Sequence, residues 1–360
     1  MAEDLSIEES GDSVVIDGVI FQDSVNVESG TGNYNTFLAL NGNSGNVAGF
    51  NSDDESPIEP TNPDVALSKT ETVLLADIPI VVIDGVEYYE FRLDLNESNS
   101  NPDAQISLNE FEIYVSGDST IEAYSDLIDD TQTDLVYDMD GSILGEVNIL
   151  MSEVSTGSGT DDYSVLVPVD KFDGYDPSTT YMYLYVDMGR EEPYDEDGGF
   201  EEWNLQTAGT INGVKFEDAD RDGIFDEEEE GVEGVKIYID SDNDGNLDVF
   251  EDVNHNGVLD DGEDVDADGK LDEAERFTFT DADGNFSFYG VATGSDVILR
   301  EILTGDWEAT NGEVDGSGQH YWTAQITELG DVDYVEIGNF LPNPLLAIDK
   351  IVTGVDVAND

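Results

Sequence analysis

Residues 209–245 read GTINGVKFEDADRDGIFDEEEEGVEGVKIYIDSDNDG: a strand pattern, an acidic loop, a second strand pattern and the start of another acidic loop. Thr210–Phe216 and Val235–Ile239 carry the β-branched and aromatic residues of short strands. The loop between them, DADRDGIFDEEE (218–229), is the first of four twelve-residue segments with one ligand order. The others are DSDNDGNLDVFE (240–251), DVNHNGVLDDGE (252–263) and DVDADGKLDEAE (264–275), which run end to end without a spacer. Each has Asp at position 1, Asp or Asn at 3 and 5, Gly at 6, Asp at 9 and Glu at 12.

Hard oxygen donors at those spacings converge on one cation, Gly permits the sharp turn, and the final Glu can bind bidentately, which is the order of a calcium loop. The expected ligands are Asp218, Asp220, Asp222, Asp226 and Glu229; Asp240, Asp242, Asp244, Asp248 and Glu251; Asp252, Asn254, Asn256, Asp260 and Glu263; and Asp264, Asp266, Asp268, Asp272 and Glu275. The carbonyls of Ile224, Asn246, Val258 and Lys270 at position 7 complete the shells. Position 8 is apolar each time (Phe225, Leu247, Leu259, Leu271), as it would be if each loop tucked one side chain against a neighbour. One chance match is plausible in so acidic a chain; four are not. The expected cofactor is Ca2+, about four ions.

A helix–loop–helix hand needs roughly ten helical residues on each side of its loop. Glu251 is followed at once by Asp252 and Glu263 by Asp264, so no helix fits between. That excludes a helical calcium sensor, and also a dockerin, whose loops are each followed by a helix. The abutting loops are expected to form a compact rod around a row of ions, resembling thrombospondin type 3 repeats without their cysteines.

Eighty-six acidic residues against eleven basic ones give a formal net charge of −75. Four divalent ions would still leave about −67, so the chain repels nucleic acid and anionic membrane surfaces. It is not a disordered acidic tail, because 38% of residues are hydrophobic and Tyr 16, Phe 15 and Trp 3 supply a core. No Cys is present, so neither disulfides nor thiolate metal sites are available. No run approaches the roughly 20 apolar residues of a membrane span. The opening MAEDLSIEES lacks the basic and apolar regions of a signal peptide. A removed signal or a C-terminal export signal would reconcile that with a secreted or cell-surface location.

Outward from the loops, the pattern predicts an all-β chain of two β-sandwich domains, the second with an inserted array of calcium loops. Residues 1–17 are expected to be an N-terminal extension, 18–206 a first sandwich, 207–342 a second carrying loops 218–229 and 240–275, and 343–360 a strand beyond it. In the first region Val73–Leu75, Pro79–Ile83, Tyr88–Leu95, Phe111–Val115, Ser164–Val169 and Tyr181–Val186 read as strands, and Asn51–Asp64 as a loop. In the second, Phe277–Thr280, Phe286–Tyr289, Asp296–Ile302, Tyr321–Ile326 and Tyr334–Phe340 follow, with an Asp-Gly hairpin turn expected in TDADGNFSF (280–288). Turn signals every eight to twelve residues mean a sandwich.

Together, residues 213–245, TDADGNFSFYGV, VILREI and VEIGNF resemble the B-type repeat domains of bacterial surface adhesins, prealbumin-like sandwiches related to the collagen-adhesin B domain and to serine-aspartate repeat proteins. The stacked array 240–275 departs from those relatives, which usually carry a single loop. TGNYNTFLALNG, DIPIVVIDGVEYYEFRLDLNE and GGFEEWNLQ resemble an N-terminal β-domain found ahead of such repeats in large secreted bacterial proteins. The resemblance also implies an intramolecular isopeptide bond between a first-strand Lys and a last-strand Asn assisted by a buried Glu: here Lys215, Asn339 and Glu301. The alternative is a plain Lys215–Glu301 ion pair. The tail LLAIDKIVTGVDVAND (345–360) looks like the opening strand of a further repeat, or a strand donated to another subunit. Val14–Phe21 is likewise expected to be an apolar strand in need of a partner.

Catalytic constellations are missing. There is no Cys, no HExxH, no GxxxxGK and no GxGxxG before a helix, and His255 and His320 are the two histidines. Glu201 and Glu202 beside Trp203 are adjacent strand residues that point to opposite faces, so they do not form one glycosidase site. The expectation is a non-enzymatic, calcium-stabilised structural module of a bacterial extracellular protein: a stalk, fibre subunit or adhesin segment. Its partners would be neighbouring domains or identical subunits. The alternative is a carbohydrate-binding or spacer module of a secreted hydrolase, which would need exposed aromatics such as Trp203 or Trp322.

Overall fold

A computed structural model describes residues 2–342 except 10, 24–33, 42–44, 54–63, 96–104, 122, 130, 153–160, 196–198, 261, 266–268, 295 and 304. The expected ligands Asp266 and Asp268, most of the Asn51–Asp64 loop and the tail 343–360 lie outside the described residues. Among those described the chain is almost entirely β, with a single four-residue α-helix, Tyr124–Leu127. Among the described residues no helix is long and apolar enough to cross a membrane.

The first sandwich packs two large sheets. One runs Glu3–Ser6, Val147–Ser152, Gln105–Ser116, Tyr181–Met188, Val47–Phe50, with Asp134–Asp138 and Val73–Leu74 attached. The other runs Ser13–Ile16, Val19–Asp23, Tyr163–Pro168, Val86–Asp94, Glu201–Gln206, Tyr34–Leu40, Val65–Thr70, with Ile80–Ile83 paired to Val86–Asp94. Alternate residues of each strand meet in the gap, where Phe21, Phe91 and Trp203 surround Phe111.

The N-terminal segment is not an extension. Glu3–Ser6 pairs in parallel with Val147–Leu150, and Ser13–Ile16 forms a hairpin with Val19–Gln22. Val19–Asp23 in turn pairs with Tyr163–Leu166, so Val14–Phe21 finds its partner within the same sandwich. Ile7 and Ile16 are buried in the common core, which is the physical reason the segment stays.

The second sandwich is smaller. Its four-stranded sheet has the order Asn285–Ala292, Ala208–Glu217, Val332–Phe340, Glu308–Ala309. The five-stranded sheet facing it runs Phe277–Phe279, Lys236–Ile239, Asp296–Ile302, His320–Gln325, Glu313–Val314. Ile211, Ile237, Phe286, Leu299, Trp322 and Ile337 fill the space between them. First and last strands lie side by side in parallel, Lys215 opposite Ile337 and Glu217 opposite Asn339.

The expected Asp-Gly hairpin is a turn of another kind. Gly284 donates to the Asp281 carbonyl, but Phe277–Phe279 joins one sheet and Asn285–Ala292 the other. Gly284 adopts φ +80, and a Cβ there would lie 2.2 Å from the Lys215 carbonyl oxygen. Close backbone approach to the neighbouring strand of the same sheet, where Lys215 N donates to the Gly284 carbonyl at 2.8 Å, is what this turn provides.

Replacing Ile16 by Ala is expected to destabilise the first sandwich by about 2–5 kcal/mol, the ordinary cost of an emptied core site. Denaturant unfolding would measure it; a change within error would mean residues 1–17 are dispensable.

Candidate metal centre

Strand ends deliver the acidic loops. Asp218 follows directly on the strand Ala208–Glu217, and Asp240 on Lys236–Ile239, so position 1 of each loop is pinned to a sheet. Asp218 and Asp240 are buried at 0% and 2% exposure, unusual for carboxylates without a partner. Their oxygens turn the loops: Arg221, Asp222 and Gly223 donate backbone N–H groups to Asp218, and Asp244 and Gly245 donate to Asp240. The third loop repeats this, with Asn256 and Gly257 donating to Asp252. Position 4 is left-handed in all three (Arg221 φ 66, Asn243 φ 60, His255 φ 56), as is the glycine at position 6 in all four. Position 8 is half-buried in every loop, and Phe225 lies 5.1 Å from Phe216 between ring centroids.

Carboxylate oxygens converge within 4.8 Å in four groups: Asp218, Asp220, Glu229; Asp220, Asp222, Asp226; Asp240, Asp242, Glu275; and Asp242, Asp244, Asp248. The first loop thus assembles its expected acidic donors. The second assembles four of its own but takes its Glu from elsewhere. Glu275, not Glu251, sits beside Asp240 and Asp242. Its carboxylate accepts from Ser241 N (2.5 Å) and Asp248 N (3.3 Å), and its own N–H donates to the Asp248 carbonyl (3.2 Å).

Glu251 turns the other way. Its Oε1 accepts from Val265 N (2.5 Å), and its N–H donates to the Asp272 carbonyl (3.1 Å). Glu275 thus sits with the loop 240–251 and Glu251 with the loop 264–275, the reverse of the expected arrangement. Nor do the successive loops stack into a rod, because the second and fourth loops lie against each other and the third is looped out between them. In that third loop, Asn254 and Asn256 donate amide N–H groups to Asp260 and Asn254 also to Glu263, so its carboxylates are already hydrogen-bonded.

The donor set is all oxygen, and part of it lacks any partner in the protein. Oδ1 of Asp248 and Oε2 of Glu251 are buried without a hydrogen bond, as is Oδ1 of Asp264. Asp248 and Glu251 are 6% and 1% exposed. Burial, then the charges of Glu275, Asp244, Asp272 and Asp242, pushes Asp248 up to about 7. Burial also raises Glu275, against hydrogen bonds from Ser241 and Asp248. Burial works against Asp218 too, but donors from Thr310, Gly223, Arg221 and Asp222 outweigh it and hold its carboxyl below the usual range. Crowded, desolvated carboxylates of this kind fit a hard divalent cation.

Arg300, missed in the sequence, ties the array to the core. It is 2% exposed on the strand Asp296–Ile302, donates to Asp240, and reaches Asp315 at 2.8 Å. Nothing in its sequence context, VILREI, distinguishes it from a surface arginine.

A second constellation occupies the sandwich interior. Lys215 and Asn339 are 1% and 0% exposed, and Glu301 projects toward them from the facing sheet. Lys215 Nζ lies 3.7 Å from Glu301 Oε2 and donates to the carbonyls of Phe216 (3.3 Å) and Ile337 (3.2 Å). Asn339 stands two residues beyond the partner of Lys215, hence on the same face. Burial lowers the Lys215 amine to about 8 although Glu301 and Asp218 pull it up, and burial raises Glu301. The three residues that the resemblance implied are brought together.

The other sequence candidates are not. Glu202 pairs with Lys69 on one face of its strand, while Glu201 is buried on the other. His255 is exposed, 3.4 Å from Asp84, and His320 contacts the Asn311 carbonyl. Trp203 and Trp322, the aromatics that a carbohydrate surface would have needed, are 0% and 6% exposed and belong to the two cores.

Fold and loops together define an all-β protein of two sandwiches with a carboxylate-rich array grafted on the second. No family model and no curated protein matches the chain. Among solved structures it is similar to BcpA, the major pilin subunit of Bacillus cereus, at 11% identity and TM-score 0.23, over 83% of this chain and 71% of that one. Domains D2 and D3 of the major pilin SpaD from Corynebacterium diphtheriae match at 12% and 0.23, over 75% and 97%. The shaft pilin spaA of Lactobacillus rhamnosus GG matches at 14% and 0.24, over 84% and 100%. At such identities and scores no residue correspondence follows.

Changing Arg300 to Met should cost about 3–5 kcal/mol in chelator, since it strands the buried Asp240 charge. Urea unfolding of the two proteins reads the difference; a loss below 1 kcal/mol would place Asp240 in contact with water.

Proposed function

We propose that this chain is a calcium-stabilised structural module of a bacterial extracellular or cell-surface protein, serving as a stalk, fibre subunit or adhesin segment. One observation carries the reading: buried carboxylates at repeated ligand spacing, two of them with an oxygen that no protein group satisfies. Asp218, Asp220, Asp222, Asp226, Glu229 and the Ile224 carbonyl would hold one ion. Asp240, Asp242, Asp244, Asp248, Glu275 and the Asn246 carbonyl would hold a second. Asp252, Asn254, Asn256, Asp260, Glu263 and Val258 would hold a third, and Asp264, Asp272, Glu251 and Lys270 belong to a fourth. The third has three carboxylates where the second has five, so it binds more weakly than the second, affinity rising with ligand charge.

The work of such a module is mechanical. Extracellular calcium sites bind at about 10⁻⁴–10⁻³ M, so they load outside a cell and empty at cytosolic levels. The interior triad supports the same role. With Glu301 taking a proton, the neutral Lys215 amine attacks the Asn339 side-chain carbonyl; a C–N amide bond forms, the original amide C–N bond breaks, and ammonia leaves. That bond would staple the first strand to the last, where a pulling force acts. The tail 343–360 is proposed to open a further domain or to complete one in a neighbouring copy.

Chelation should lower the melting of the second sandwich and leave the first nearly unchanged, because all four loops lie in 218–275. At free calcium ~100 times the dissociation constant each site adds roughly 2.7 kcal/mol. Calorimetry with and without chelator, followed by limited proteolysis, tests this, and equal losses in both sandwiches would contradict it.

For the covalent staple, the intact mass should fall short of the sequence mass by one ammonia. Lys215→Met and Asn339→Ala should each abolish that deficit, and an undiminished wild-type mass would leave Lys215 as an ion-pair partner only.

A further inference from the structure

The second and fourth loops are chemically incomplete alone. In the first loop, Glu229 Oε1 accepts from Ala219 N (2.8 Å), Oε2 accepts from Asp226 N (3.1 Å), and its N–H donates to the Asp226 carbonyl (3.0 Å). In the third, Glu263 Oε2 accepts from Asp260 N (2.9 Å) and its N–H donates to the Asp260 carbonyl (3.1 Å). In the first loop these bonds seat the twelfth residue beside its own second and ninth, and in the third loop beside its own ninth.

The second and fourth loops make the same bonds crosswise. Glu275 occupies beside Ser241 and Asp248 the seat that Glu229 has beside Ala219 and Asp226. Glu251 accepts from Val265 N and donates to the Asp272 carbonyl, the matching seat in the fourth loop. The group Asp240, Asp242, Glu275 corresponds position by position to Asp218, Asp220, Glu229. Glu251, 1% exposed, keeps one oxygen without a partner, and so does Asp264, the first residue of the loop it enters. Lys270 adds a third crossing, at 3.1 Å from Asp244.

We propose that the loops beginning at Asp240 and Asp264 exchange their twelfth-position glutamates and so form one cooperative two-ion unit, Glu275 ligating the ion of the Asp240 loop and Glu251 that of the Asp264 loop. This rests on the calcium reading above. Neither ion obtains its bidentate carboxylate until residues 252–263 have folded back and brought the two loops together. Each ion then organises the backbone that carries the other's ligand. The first loop, closed by its own Glu229, stands outside the pair.

The glycine amides at position 6 report each loop separately, because Gly223, Gly245 and Gly257 donate to the first aspartate of their own loops. Calcium titration of the nitrogen-15-labelled full chain should move Gly245 and Gly269 with one midpoint and a Hill slope above one, and Gly223 with another. Glu275→Gln should raise the Gly245 midpoint the more, and Glu251→Gln the Gly269 midpoint, each by ten-fold or greater. Glu229→Gln should move Gly223 alone, and unchanged amide spectra of the first sandwich certify that the variants fold. If Glu251→Gln acts chiefly on Gly245 and Glu275→Gln on Gly269, each glutamate serves its own loop and the exchange is overturned. A Glu275→Gln variant that leaves the Gly245 midpoint unchanged, or a Glu251→Gln variant that leaves the Gly269 midpoint unchanged, overturns it too. Should wild-type glycines ignore calcium while the chain stays folded, the calcium reading itself fails.

Discussion

Charge balance is the constraint on which the second sandwich depends. Asp218, Asp240, Asp248, Glu251, Glu263 and Glu275 are each at most 8% exposed, whereas its buried cations among the described residues are Lys215 and Arg300. Arg300 is committed to Asp240 and Asp315, and Lys215 to Glu301. The remaining buried carboxylates face one another, and desolvated like charges cannot all stay ionised without an opposite charge nearby. A protein with eleven basic residues against eighty-six acidic ones has few to lend. Cations from solvent are the remaining source, and the loops hold oxygens where cations would go.

Regular spacing made this much legible. Strands rich in β-branched and apolar residues, such as Asp296–Ile302, were read to the residue. The loops were legible because ligand chemistry needs fixed residue types at fixed intervals. The strand Glu3–Ser6 (EDLS) was not, since its polar residues mimic loop and its place is set by a partner more than 140 residues away. Nor was the crossing of Glu251 and Glu275. Both loops carry the full pattern, and only the fold decides which glutamate sits in which seat. Lys215 was legible for the opposite reason: with six lysines in the chain, one amid Val214 and Phe216 stands out.

The array also lies at the joint of the two sandwiches. The turn Asp84–Gly85 of the first touches it, Gly85 lying where an added Cβ would be 3.1 Å from the Phe250 Cβ and 3.8 Å from that of Ala274. Asp84 meets His255 of the third loop, and Arg276, directly after Glu275, donates to Glu87 at 2.9 Å and to the Tyr289 carbonyl at 2.7 Å. These are polar or edge contacts, each worth little alone at a solvated surface. Their strength depends on how firmly each partner is held. Glu275 is the hinge of that dependence: an ion at the Asp240 loop would fix Glu275, and the next residue is the arginine that grips the first sandwich. Ordering the array would therefore convert several weak contacts into one pre-organised interface, because the entropy of positioning them would be lost in the array and not at the joint. Rigidity between the two domains would then follow from where the glutamates sit in the chain as much as from how many there are.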